Sequence, residues 1–306
     1  MLLLMPVLFF FIPQISHAQQ KPVIHEASIY FDEEEKFLSS PVNVLADPVT
    51  DEIYVVSQSR VLIYTNDLFP LYTIGKSRGV TSPQGMAVDR DGNLYVSQAP
   101  TMQEKNSRYR ISVFNACLQW ERDIFVKDPG GEKPFTPNRL AVDGKGNLYV
   151  AGSFYPGVLV LDKQGQKIDM MVPVEKEKKP AINDVKVGEN GNIYLLSAEM
   201  GRVYVYDENR QFLFQFGAKG GSTGLMSRPV GVGTDPLRER FYVVDFMRHT
   251  VLAFDYNGKY LFEFGGLGAG PGWLQYPWDI AVDKSGRVFI ADTFNNRVEV
   301  FKPSGQ

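Results

Sequence analysis

Hydrophobic and polar residues alternate at a period of two in short runs along most of this chain. Arg202 begins the run RVYVY and Arg297 begins RVEVF, and turn residues follow many such runs. The step Asp91-Gly92 between two apolar runs is a strong indication of a β-hairpin. After residue 18, no long window places apolar residues at helical spacing. The pattern therefore predicts an all-β protein built from many short strands.

One sequence phrase returns six times. Its copies begin at Ser40, Ser82, Thr136, Ala181, Arg228 and Tyr276. The last copy is the clearest and reads YPWDIAVDKSGRVFIADTFNNRVEVF. Successive copies start 42 to 54 residues apart, which is near the size of one four-stranded propeller blade. Each copy divides into four strand segments, so the repeat predicts a six-bladed β-propeller of four-stranded antiparallel blades.

The two ends of the repeat region predict how the ring closes. The sixth copy stops after its third strand, whereas VIHEASIYF from Val23 has the pattern of a strand but precedes the first blade. We expect this segment to pair with Arg297–Phe301 and to complete the last blade. Such a closure removes an open sheet edge, which would otherwise favour aggregation.

The first 18 residues have the features of an exported protein's signal peptide. An apolar run is followed by Ser16-His17-Ala18, a small-x-small cleavage pattern that would leave Gln19 as the new N-terminus. The apolar run is too short to span a bilayer comfortably. We therefore expect a signal peptide over 1–18 and a propeller over 19–306. The mature protein is expected to be periplasmic or extracellular, monomeric and without a stable membrane span.

Charge and composition disfavour several classes of function. The formal net charge is −3, without the basic excess of nucleic-acid-binding proteins, so no nucleic-acid partner is expected. Of three histidines, His17 lies in the signal peptide, so a three-histidine zinc site is excluded after cleavage. The single cysteine, Cys117, cannot form an internal disulfide. We expect it to be a small buried apolar residue.

The last copy resembles the NHL repeat. Its matching positions are Phe264-Gly265, Pro277, Asp283, Gly286, Asp292, Asn295 and Arg297. Other copies keep the Gly-Asn turn but lose the Asp-Thr-x-Asn box, and the resemblance covers residues 23–306. It implies a six-bladed propeller. The NHL family contains protein and RNA binders, and some of its relatives are lyases or lactonases, so the fold does not fix the function.

The innermost strands of the blades would place polar side chains at the mouth of the central channel. The candidate ligand-binding residues are Asn43, Gln84, Asn138, Arg139, Asn183, Asp184, Trp278 and Asp279. In one interpretation Arg139 holds an anion, while Asp184 and Asp279 bind a cation or act as acid and base. In the other, which we favour, these groups form ion pairs that keep the strands in register around a water-filled channel.

The long connections indicate a binding face. Three of them, 98–109, 126–135 and 173–180, would lie on one side of the propeller, while the opposite turns are nearly all short. Lys105, Arg108 and Tyr109 are the candidate partner-binding residues of the first loop. We favour an exported, non-catalytic scaffold for a protein partner or a ligand, without a cofactor. The alternative is a calcium-dependent hydrolase of the lactonase or esterase type, or a lyase, at the channel mouth.

Overall fold

The computed structural model describes residues 22–101, 108–126, 135–153, 155–175 and 178–304. The expected signal peptide and Lys105 lie outside these residues. Within the described part of the chain, no helix is long and apolar enough to cross a membrane.

The strands form six antiparallel sheets of four strands each. The first strand of the chain is β1 (Val23–Ile29). Blade one contains β2 (Pro41–Ala46), β3 (Ile53–Ser57), β4 (Arg60–Tyr64) and β5 (Pro70–Ile74). Blade two contains β6 (Pro83–Val88), β7 (Leu94–Gln98), β8 (Arg110–Phe114) and β9 (Trp120–Ile124). Blade three contains β10 (Pro137–Val142), β11 (Leu148–Gly152), β12 (Val158–Leu161) and β13 (Lys167–Met171).

The second half of the ring repeats this arrangement. Blade four contains β14 (Asp184–Val187), β15 (Ile193–Ser197), β16 (Arg202–Tyr206) and β17 (Phe212–Phe216). Blade five contains β18 (Pro229–Asp235), β19 (Arg240–Asp245), β20 (Thr250–Asp255) and β21 (Tyr260–Gly265). Blade six contains β22 (Asp279–Val282), β23 (Val288–Asp292) and β24 (Arg297–Pro303), and its outer strand is β1. The helical segments among the described residues are two 3₁₀ turns, Lys76–Arg78 and Thr293–Asn295.

The ring closes as the sequence predicts. Strand β1 pairs antiparallel with β24, from Val23 opposite Pro303 to Ile29 opposite Val298. A β-bulge lies between His25 and Ala27. The six blades and their closure are thus confirmed.

A buried polar cluster stabilises this closure. Arg297 is only 2% exposed and lies between Asp292, at 2.9 Å, and Glu299, at 2.6 Å. Its guanidinium also donates to the Tyr30 hydroxyl, just beyond β1. On the other side of β24, Ser28 of β1 donates a 2.8 Å hydrogen bond to Glu299. The Asp and Arg of the last repeat copy therefore join the final hairpin to the start of the propeller.

The hydrophobic core consists of layers between neighbouring blades. Between blades six and one, Phe289 and Val300 pack with Val44 and Val55. Because successive side chains of a strand point to opposite faces, each inner strand contributes to the layers on both sides of its blade. The second strand of a blade is covered on both faces in the same way, and in β3 (Ile53–Ser57) every residue is buried.

An aspartate shapes the first turn in five of the six repeat copies, the exception being Gly188 of blade four. In blade two, the Asp89 carboxylate accepts hydrogen bonds from the main-chain N–H groups of Asp91 and Asn93. Gly92 adopts a positive φ of 82° there, which glycine allows at little steric cost. The repeat motif DxxGN therefore encodes the hairpin between the first two strands of the blade.

The expected burial of Cys117 is wrong, because this residue is exposed. It lies in the turn between β8 and β9. Its main-chain N–H donates to the Asn115 side chain in an Asx-type turn. The turn places the thiol outside the layers between blades.

Candidate functional site

The two faces of the propeller differ in their connections. We call the upper face the one that carries the connections between blades and those between the second and third strands of each blade. The strand ends that flank the three connections expected to be long lie on this face, among them Gln98, Ile124 and Met171. The lower face carries the remaining, shorter turns.

A single side chain crosses the central channel. Arg139 of β10, in blade three, is 3% exposed. Its guanidinium donates 3.0 Å hydrogen bonds to the carbonyl oxygen of Val42 in blade one and to that of Trp278 in blade six. It also lies 3.5 Å from the carboxylate of Asp279. Blade six stands opposite blade three and blade one lies next to blade six, so Arg139 reaches across the channel and closes it.

Two aspartates complete this closure. Asp279 accepts hydrogen bonds from the Asn43 side chain and from the main-chain N–H of Val44. Asp184 likewise accepts a 3.0 Å bond from the N–H of Val232 in the next blade. Each aspartate therefore ties the inner strand of its own blade to that of the following one. We call the set Asn43, Arg139, Asp184, Lys186 and Asp279 the channel plug.

The charges of the channel plug balance. Lys186 Nζ lies 3.8 Å from Asp279, so two cations face two carboxylates. The pKa of Asp184 is raised to about 6, chiefly by burial; Lys186 and Arg139 lower it, and the nearby Asp279 adds to the rise. One side-chain oxygen each of Asn43, Asp184 and Asp279 is buried without a hydrogen-bond partner among the described residues. The described ranges contain no group of three or more His, Cys, Asp and Glu side chains that could hold a metal ion.

Glycines at two equivalent positions make room for the plug. A Cβ atom on Gly85 of blade two would lie 2.1 Å from the carbonyl oxygen of Asn138 in the next blade. A Cβ atom on Gly231 of blade five would lie 2.8 Å from Asp279 Oδ1. The inner strands approach one another closely at these points, and the polar side chains come from the other four blades.

Above the plug lies a cavity of about 760 Å³ that opens on the upper face. We call it the upper cavity. Arg139 forms part of its base. Its wall includes Asn138, Asn183, Glu199, Lys219, Arg228, Met247 and Trp278. Because the plug separates this cavity from the lower half of the channel, a ligand would enter from the upper face.

The structure separates the predicted channel-mouth residues into two groups. Asn43, Arg139, Asp184 and Asp279 belong to the plug, and their polar groups are mostly engaged within the protein. Asn138, Asn183 and Trp278 line the upper cavity. Gln84 belongs to neither group, since its amide donates to the carbonyl oxygens of Ser82 and Pro83.

The predicted partner-binding loop is described only at its end. Arg108 is exposed and its guanidinium lies 5.0 Å from the ring centre of Phe125. Tyr109 is half-buried beside the start of β8. These two residues lie on the upper face.

Five site residues were missed at the sequence level: Lys186, Glu199, Lys219, Arg228 and Met247. Lys186 stands two positions after Asp184, so the strand period alone would have placed it on the same side of β14. Lys219 lies in the Gly-rich segment between blades four and five, and Arg228 begins the fifth repeat copy, where no pattern marks it as a ligand-binding residue. Met247 gives no pattern by which it would have been found.

Six four-stranded blades around a central channel define a six-bladed β-propeller. The family model of the NHL repeat matches residues 274–301, which cover most of blade six. The chain is thus a six-bladed propeller whose last blade contains an NHL repeat. No match is found among curated proteins.

Several solved structures share the fold at low sequence identity. An auxiliary nutrient binding protein from Bacteroides thetaiotaomicron is 12% identical with a TM-score of 0.66, and the match covers 92% of this chain and 76% of that one. A protein of unknown function from the same organism is 16% identical with a TM-score of 0.64, covering 86% and 69%. A streptogramin B lyase is 10% identical with a TM-score of 0.60, covering 92% and 98%. These similarities concern the fold alone.

Proposed function

We propose that the protein is an exported, non-catalytic binding scaffold that holds a ligand or a protein partner at its upper face. The observation that carries the proposal is the upper cavity, which the channel plug closes from below. Its volume of about 760 Å³ lies within the range of small-molecule sites. The similarity in fold to a nutrient-binding protein supports a binding role.

The hydrogen bonds of the plug favour binding over catalysis. Asp184 and Asp279 are the carboxylates that the sequence offers as acid and base. Both are at most 1% exposed, and each accepts a main-chain N–H of the next blade. Such bonds give these carboxylates a role in holding the ring together. The upper cavity instead presents amides, cations and apolar side chains, a combination suited to holding a molecule.

Export is part of the proposal. Removal of residues 1–18 would deliver a propeller starting near Gln19 to the periplasm or the extracellular space. Mass spectrometry of the secreted or periplasmic protein tests this directly. A mature N-terminus at Gln19 is expected, and an intact Met1 in the purified protein would refute it.

A thermal-shift screen with defined compounds tests the binding role. The set contains sugars, amino acids, short peptides, carboxylates and nucleosides. Ligand at 100 times its Kd stabilises the folded state by about 2.7 kcal/mol, which corresponds to a rise in Tm of several degrees. The variant Ala198→Trp places a large side chain in the wall of the upper cavity and should abolish the rise. The variant Leu237→Trp places the same side chain on the lower face and should retain it.

Two results would contradict the proposal. A rise in Tm that survives Ala198→Trp would place the ligand elsewhere. Calcium binding by calorimetry that Asp184→Asn or Asp279→Asn abolishes, together with lactone or ester hydrolysis, would replace the scaffold with the calcium-dependent enzyme.

For a protein partner, deletion of Thr101–Arg108 should abolish capture in a pull-down. The melting temperature should change little, since the deletion removes no described strand. Undiminished capture by the deletion variant would show that this loop is not the docking element.

A further inference from the structure

We infer that the upper cavity is selective for an anion, a carboxylate or sulfonate carried on a flat apolar body. The inference rests on the proposed binding function and specifies its ligand. It follows from the cations of the cavity wall, from their lack of carboxylate partners, and from the aromatic packing beside them.

Arg228 differs from five other arginines of the upper face. These five form ion pairs: Arg60 with Asp32, Arg110 with Asp123, Arg202 with Glu175, Arg248 with Glu263, and Arg297 with Asp292. Arg228 is exposed, and no carboxylate of the described residues lies within 4 Å of its guanidinium. Its charge is therefore available to a ligand.

The guanidinium of Arg228 also has an aromatic neighbour. It lies 4.9 Å from the ring centre of Phe246, a cation–π arrangement. It donates no hydrogen bond to a described residue, so its N–H groups are free to donate to a ligand. Two parallel donors along one edge match the two oxygens of a carboxylate or sulfonate.

Lys219 supplies the second cation. Its ammonium donates to the carbonyl oxygen of Ala198, which positions it at the cavity wall and leaves further donors. Glu199 is the acidic residue of the lining, and it forms no ion pair with a described residue. Because Arg139 and Asp279 neutralise each other in the plug, the wall carries one positive charge in excess. A single anion balances it.

The apolar part of the ligand is inferred from the aromatic and apolar side chains of the cavity wall. Trp278 packs edge-to-face on Phe246, with ring centres 5.1 Å apart and planes at 85°. Phe246 in turn lies 4.9 Å from Tyr276, so the indole is held in a fixed position. Met247, 52% exposed, adds a flexible apolar side chain to the same wall. A flat apolar ring can pack on these groups while its anion reaches Arg228.

Isothermal titration calorimetry with two matched probes tests the inference. 2-Naphthoate and 2-naphthamide share one ring system and differ in charge. Hydrogen bonds to a charged group contribute more than neutral ones, so naphthoate should bind roughly tenfold to a hundredfold more tightly. Acetate, which has the charge without the ring, should bind far more weakly than naphthoate.

Variants of the cavity wall give effects of opposite sign. Arg228→Gln and Lys219→Gln should each weaken naphthoate binding about tenfold and leave naphthamide nearly unchanged. Glu199→Gln should tighten naphthoate binding, because it removes the opposing charge. Lys284→Gln is the matched control: this lysine is exposed on the lower face and also donates to a carbonyl oxygen, that of Val49. It should not alter binding.

Three results would overturn the inference: equal affinity for the two probes, no binding of naphthoate, or equal losses in Lys219→Gln and Lys284→Gln. Failure of the anion selectivity is distinguishable from failure of the binding function. A neutral compound whose thermal shift Ala198→Trp abolishes would retain the scaffold and reject the anion. The absence of any shift sensitive to Ala198→Trp would reject the ligand-binding cavity itself.

Discussion

The closure of the ring depends on one buried arginine. In Arg297→Met the buried carboxylates of Asp292 and Glu299 lose the cation that lies 2.9 and 2.6 Å away, respectively. The variant also removes donors from the carbonyl oxygens of Gly270 and Trp273. Methionine fills much of the same volume, so the loss measures charge pairing more than packing.

The expected loss follows from this geometry. Removing one partner of a buried ion pair typically costs about 3–5 kcal/mol, because the remaining charge stays buried. His25 Nε2 lies 2.6 Å from Glu299 and is partly exposed, so it can serve as an alternative partner. Among the described residues Asp292 forms an ion pair only with Arg297, and burial already raises its pKa. We therefore expect a loss near 3 kcal/mol, a large part of the roughly 5–15 kcal/mol typical of a folded domain.

Urea denaturation at pH 7, followed by both fluorescence and circular dichroism, measures this loss. Lys302→Met is the control, since Lys302 pairs with Glu26 across the same two strands but in an exposed position. It should change the free energy of unfolding by less than about 0.5 kcal/mol. Adding Asp292→Asn to Arg297→Met should recover part of the loss. A loss below about 1 kcal/mol in Arg297→Met would refute the role assigned to the buried pair.

The channel plug yields two further predictions. Because burial raises the pKa of Asp184 to about 6 from 3.8, the folded protein holds this proton more firmly than the unfolded chain. The contribution of Asp184 to the free energy of unfolding is then largest at low pH. It declines between about pH 4 and 6, by up to about 1 kcal/mol per pH unit. In urea titrations over this range, Asp184→Asn should abolish the decline. Gly85→Ala should cost about 1–3 kcal/mol, since its Cβ atom meets the backbone of Asn138, whereas Gly221→Ala meets nothing within 4 Å and should be neutral. Equal stability of the two alanine variants would contradict the close approach of the blades.

Much of the fold is readable from the sequence because it is encoded locally and repeatedly. The period-two alternation recurs in each blade, and the DxxGN turn of blades two and three returns with one substitution in blades four and six, so one hairpin predicts the others. Even the closure by Val23–Ile29 follows from counting strands. The last repeat copy lacks its outer strand, and Val23–Ile29 is the strand that belongs to no copy. Cys117 shows where this reasoning fails: its apolar character suggested burial, but a turn residue's position is set by the turn.

The site was harder to predict because it depends on contacts across the ring. The register of the innermost strands predicts that Arg139, Asp184 and Asp279 lie at the channel. It does not predict the direction in which each side chain extends. Arg139 reaches carbonyl groups of blades one and six, about half the ring away, and no local pattern indicates such a contact. Asp32, the first of four consecutive acidic residues, is likewise buried against Arg60 of blade one.

The plug explains why the individual character of this propeller should lie in its connectors. Polar side chains on the innermost strands are engaged in contacts that join one blade to another. The segments free of this structural role are those that depart from the repeat. Lys219 and Arg228 bracket the Gly-rich connector between blades four and five, and the loop at 98–109 belongs to a single blade. A scaffold whose centre is closed by its own charges can vary its ligand only through such segments.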